Sequence, residues 1–126
     1  MATVILTRGL GLVIASVTTD AATTGTNVDL GFIPAMAKGF DVTNGLIQWY
    51  WNQGMSSFQT GASAVVFGLI STTSGGVAQY ATIGAGAGGI TALDGSAGTA
   101  IGLNIGTNTV INIASHAILV EAWEPH

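Results

Sequence analysis

His116 and His126, with Asp20, Asp29, Asp41, Asp94, Glu121 and Glu124, are the only His, Asp or Glu residues in this 126-residue chain, and cysteine is absent. A proton-transfer centre or a metal site has to be assembled from these side chains. Their spacing assembles neither, because no H-E-x-x-H pair, calcium-loop pattern or closely paired carboxylates occur. Without cysteine there is no thiolate ligand and no disulfide framework. Ser115 precedes His116, but adjacency in a turn does not aim a base at a nucleophile, and no G-x-S-x-G elbow exists. Gly84, Gly86 and Gly89 spell G-x-G-x-x-G after a strand-like run. A dinucleotide site also needs a helix opening at the third glycine and an acid about 20 residues on, and neither is present. The expectation is a protein without enzymatic activity, cofactor or metal, in which His116 is a turn or subunit-contact residue.

The aromatic residues are the other candidates. Trp49-Tyr50-Trp51 offers flat surfaces that stack on sugars. Asn44-Gly45, set between two alternating runs, predicts a two-residue type I′ hairpin. That register faces Thr43 with Leu46, Val42 with Ile47, Asp41 with Gln48, Phe40 with Trp49 and Lys38 with Trp51. One face then collects Phe40, Val42, Ile47, Trp49 and Trp51; the other collects Asp41, Thr43, Gln48 and Tyr50. Phe40, Trp49 and Trp51 are therefore expected as core aromatics, with Lys38 in cation–π contact with Trp51. Tyr50 and Trp123 remain as surface aromatics, suited to a subunit contact or a glycan.

The elements that position these residues read as strands. Nineteen glycines recur with Thr, Ser and Ala between short apolar runs, about ten residues apart. Strands are predicted at residues 4–7, 12–18, 27–33, 38–43, 46–52, 64–70, 77–83, 101–105, 110–114 and 117–123, where β-branched residues dominate. Capping boxes and helical apolar series are missing, so the only helix-like piece is residues 34–38. Residues 84–89 read as a long connection or a close crossing. The fold expected is all-β, an antiparallel β-sandwich or jelly-roll-like barrel with little or no helix. It forms one domain over residues 1–126, with 1–25 an N-terminal arm or the first strands. Residues 1–22 imitate a signal peptide only loosely, because Arg8 sits late.

Charge is the anomaly. Asp, Glu, Lys and Arg make up 6% of residues, against about 25% in a typical soluble domain. A monomer of this mass exposes about 6,200 Å², or one charge per about 780 Å², roughly one partner's share of a standard interface. Either other subunits cover much of that surface, or Thr, Ser, Asn and Gly wet it. Arg8 and Lys38 are the only basic residues and the net charge is −4, which excludes the cationic track that nucleic-acid binding requires. No apolar run approaches the ~18 residues of a membrane span.

Several stretches resemble the small structural proteins of tailed-phage virions, over about residues 26 to 123. They are Val28-Asp-Leu-Gly-Phe-Ile-Pro34, Trp49 to Trp51 with Gly54-Met55, Gly102-Leu-Asn-Ile-Gly106, Asn112 and Glu121-Ala-Trp123. The resemblance implies a capsid decoration or cement protein: a homo-oligomer, expected as a trimer, bound to the phage major capsid protein on the capsid surface of the virion. Arg8, Tyr50, His116 and Trp123 are then the expected contact residues. The segments 1–11 and 84–98 are the expected contact regions. The alternative is a tail, fibre or baseplate module that binds a host surface glycan.

Overall fold

The computed structural model describes residues 3–19, 25–57, 66–74, 76–84, 88–95 and 100–125. Within them run ten strands, β1 (Thr3–Gly9), β2 (Leu12–Thr18), β3 (Thr26–Asp29), β4 (Met36–Asp41), β5 (Ile47–Asn52), β6 (Val66–Ser74), β7 (Val77–Gly84), β8 (Ile90–Asp94), β9 (Ile101–Ile105) and β10 (Ala117–Trp123). One helical turn, α1 (Gly54–Ser57), follows β5. A seven-stranded sheet has the order β1-β2-β10-β4-β5-β6-β7 and a three-stranded sheet the order β3-β9-β8, with every pairing antiparallel. This is the all-β sandwich that the composition and turn spacing predict.

Alternation builds the core. Val13, Ala15 and Val17 of β2, Ile118, Val120 and Ala122 of β10, and Trp49 and Trp51 of β5 are buried, while their neighbours in each strand are not. They share one apolar cluster with Val28, Leu103, Ile105 and Ile90 from the three-stranded sheet. Residues 3–18 are the first strands rather than a detached arm, since β1 and β2 lie in the larger sheet.

Four expectations are corrected. Residues 110–114 are turns, because Asn108 Oδ1 accepts the Val110 N–H at 2.9 Å and Asn112 N–H donates to Asn108 O at 3.0 Å. Such local bonds compete with a strand ladder. Conversely, Ile90–Asp94 is strand β8, paired along its length with β9 inside what reads as a loop. Residues 36–38 open β4, and the helical turn lies at Gly54–Ser57 instead. Residues 64 and 65 of the expected sixth strand and residues 85–87 of the expected connection lie outside the described residues.

The fourth correction is the hairpin register. Phe40 pairs with Gln48, Gly39 with Trp49, Lys38 with Tyr50 and Ala37 with Trp51, one residue from the predicted pairing. Gly45 N–H donates to Asp41 O at 2.7 Å, and Asp41 Oδ1 accepts Asn44 N–H at 2.9 Å. Residues 42–46 thus form a five-residue connection rather than a two-residue turn. A one-residue slip moves a strand's side chains to the other face. In β4, Asp41 is consequently buried, Phe40 lies half-buried on the outer face, and Val42 and Thr43 are exposed in the loop. Phe40 is not a core aromatic; Trp49 and Trp51 are both buried.

The two-residue turn occurs elsewhere. Gly9 pairs with Leu12, and Leu10 and Gly11 both have positive φ, 53° and 79°, as type I′ requires. Leucine in the left-handed region is strained by about 1 kcal/mol. Leu10→Asn should therefore raise stability by about that amount, read as a higher midpoint in urea.

Candidate functional site

The outer face of the seven-stranded sheet is the surface that the fold leaves to be explained. Three cross-strand rows define it. One runs Val4, Ser16, Leu119, Phe40, Gln48, Ser71, Tyr80; the next runs Thr7, Ile14, Glu121, Lys38, Tyr50, Leu69, Thr82; the third runs Gly9, Leu12, Trp123, Met36, Asn52. In the central strands these side chains are mostly half-buried by one another. Two of them carry charge, Lys38 and Glu121, and they are directly opposed across β4 and β10. Among the described residues no helix or sheet covers this face.

Two hollows flank its centre. One, of ≈190 Å³, is lined by Lys38, Gln48, Tyr50, Leu69, Ser71 and Tyr80, and reaches Trp49. The other, of ≈220 Å³, is lined by Lys38, Phe40, Gln48, Leu119 and Glu121, with Gly39 at its floor. Lys38 and Gln48 form the ridge between them. Tyr80, 72% exposed, forms part of the wall of the first. The arrangement offers aromatic and aliphatic surface with a few hydrogen-bonding groups, which suits a docking protein surface or a sugar ring.

Each expected contact residue has a definite position. Tyr50 lies on this face, its hydroxyl accepting Asn52 Nδ2–H at 3.1 Å. Trp123 is on the same face, with Lys38 Nζ 5.9 Å from its ring centroid. The cation–π partner of Lys38 is therefore Trp123 and not Trp51, which points to the core. Arg8 points the other way, into the sandwich rim, donating to Leu30 O at 3.0 Å and lying 6.0 Å from the Phe32 ring centroid. His116 sits at the end of the sandwich with Nδ1 2.7 Å from Oδ2 of the buried Asp41. Ser115 is exposed at φ 64°, its N–H donating to Thr19 O at 3.0 Å. The sheet thus joins Tyr50 and Trp123 on one surface and leaves Arg8 and His116 off it.

Sequence reasoning placed Gln48 beside Tyr50 but missed Phe40, Leu69, Tyr80 and Leu119 as members of this face. Their signal is strand alternation, but it becomes readable only once strand order and register are known. Asp29 on β3 and Glu121 on β10 do point away from their buried neighbours, as alternation predicts. No group of three or more His, Asp or Glu residues able to hold a metal occurs among the described residues.

Fold and face together define an all-β sandwich with a broad, uncovered apolar sheet surface. No family model, curated protein or solved structure matches the chain.

Proposed function

We propose that the protein is a non-enzymatic structural protein of a tailed-phage virion, a decoration or cement protein that binds the capsid shell through the outer face of its large sheet. The observation that carries this reading is that face, five central strands wide, predominantly apolar and holding one lysine and one glutamate. Apolar side chains left half-buried on a face that no other described element covers suit an interaction site. A chain with eight charged residues gains little from long-range steering. A shell presenting many identical sites compensates through multivalent attachment.

The test is co-sedimentation of the purified chain with shells assembled from the major capsid protein of the same phage. Saturable binding at a fixed ratio per capsomer is expected. Tyr50→Ala should weaken that binding about tenfold or more, as a central interface aromatic does, while costing stability only about 1 kcal/mol of cross-strand packing, so that the variant stays folded. Absence of binding at micromolar concentration overturns the reading.

One observation favours a second reading. The hollow bounded by Tyr50, Tyr80, Gln48, Lys38 and Ser71 combines stacking surface with hydrogen-bonding groups, as a glycan site of a tail, fibre or baseplate module does. Sugar-dependent quenching of tryptophan fluorescence, lost in Tyr80→Ala, together with absent shell binding, selects this alternative.

A further inference from the structure

The two sheets treat their edges differently. The edges of the three-stranded sheet are β3, four residues ending in Asp29, and β8, five residues ending in Asp94. Shortness and a charge are standard devices that stop an edge from pairing with a stranger. The edges of the seven-stranded sheet are β1, Thr-Val-Ile-Leu-Thr-Arg-Gly, and β7, Val-Ala-Gln-Tyr-Ala-Thr-Ile-Gly. They are seven and eight residues long, contain no proline, and expose Val4, Ile5, Leu6, Val77 and Tyr80. The only charge in either is Arg8, and its guanidinium is drawn inward to Leu30 O and the Phe32 ring. Among the described residues nothing pairs with the outer side of β1 or β7. Beside β1 the Leu10 tip is fully exposed in a strained conformation.

We infer that β1 of one copy pairs with β7 of the next, so that the large sheet runs continuously from copy to copy. This deepens the assembly reading above and rests on it. The occupant is a second copy because each chain supplies both halves of the contact, of matched length, and β7 carries no charge that Arg8 of β1 would repel. The pairing satisfies two rows of otherwise solvated backbone groups and covers the apolar side chains beside them. A bulge at Leu6 interrupts the β1 ladder, which confines pairing to the segments on either side of it. Such a contact is head-to-tail, and it closes into a ring when the rotation between copies allows. Both edges are then consumed, which removes the aggregation hazard that the isolated chain carries.

The experiment is sedimentation velocity on the full chain across micromolar concentrations, without shells. The wild type should run as a closed oligomer. Two double variants, Val4→Lys with Leu6→Lys in β1 and Ala78→Lys with Tyr80→Lys in β7, should each run as monomers, with circular dichroism and melting temperature near wild type. Mixing the two leaves one intact β1 edge and one intact β7 edge, so a 1:1 heterodimer should form and no larger species. A monomeric wild type, or an oligomer indifferent to both variants, overturns the proposal. If only one variant dissociates, the contact is that edge paired with itself, and the head-to-tail arrangement is wrong. A folded oligomer that ignores shells sinks the shell-binding reading and leaves edge pairing standing; a shell-binding monomer does the reverse.

Discussion

Gly39→Ala is expected to destabilise the protein by at least about 3 kcal/mol, the upper range of overpacking costs. The reason lies in one cross-strand row of the inner face: Ala15, Val120, Gly39, Trp49 and Ile70. The Trp49 indole lies across β4 where residue 39 has no side chain. A Cβ there would meet Trp49 Cε2 at 2.1 Å, Cζ2 at 2.3 Å and Nε1 at 2.3 Å, far inside contact distance. Moving the ring is costly because Trp49 is 3% exposed and walled by Ile70 and its other core neighbours. Trp49→Ala should cost a similar 3–5 kcal/mol for the opposite reason, a cavity in place of a clash. Trp49→Phe should be mild, since Trp49 Nε1 is buried without a hydrogen-bond partner and its removal relieves an unsatisfied donor. Phenylalanine lacks the outer ring of the indole, and Cζ2 with it, so it crowds residue 39 less. Gly39→Ala should therefore be partly rescued in a Trp49→Phe background, as a coupling of a few kcal/mol in a double-mutant cycle by urea unfolding. Additive costs would mean that the ring does not lie over Gly39.

The same pair of residues separates what was legible from what was not. Trp49 and Trp51 read correctly as core because alternation within β5 alone assigns them to one face. Their partners did not, because Asn44-Gly45 has the composition of a type I′ turn while Asp41 decides the outcome. Its carboxylate caps Asn44 N–H and its carbonyl accepts Gly45 N–H, which widens the connection and slips the register by one. That slip exchanges Phe40 for Asp41 in the core. The true type I′ turn falls at Leu10-Gly11, where leucine is a poor residue for positive φ and sends no turn signal. Strand β8 was hidden by its Gly-rich flanks, and residues 110–114 by Asn108, whose side chain closes a turn within an apolar run. The outer face depends on pairing between strands distant in sequence, so neither composition nor local pattern displays it.

Asp41→Ala carries the second large effect, a loss of about 2–3 kcal/mol. Asp41 is 3% exposed and links three pieces of chain. Oδ1 accepts Asn44 N–H, holding the β4–β5 connection; Oδ2 lies 2.7 Å from His116 Nδ1, holding the turn that leads into β10. That turn is fastened again by Thr19, whose Oγ1 accepts His116 N–H at 3.0 Å and donates to Ile113 O. Removing the carboxylate orphans a backbone donor and a ring nitrogen together. His116 keeps some contact with water, its side chain being 20% exposed, so the cost stays below that of a fully buried pair. Asp41→Asn retains an oxygen for Asn44 N–H and should lose about 1 kcal/mol. Amide exchange at Asn44 and Gly45 should accelerate in Asp41→Ala far more than in His116→Ala, because the first variant frees the loop and the second only the turn. Equal acceleration in both would mean that the Asp41–His116 contact, rather than the cap on Asn44, holds the hairpin in its observed register.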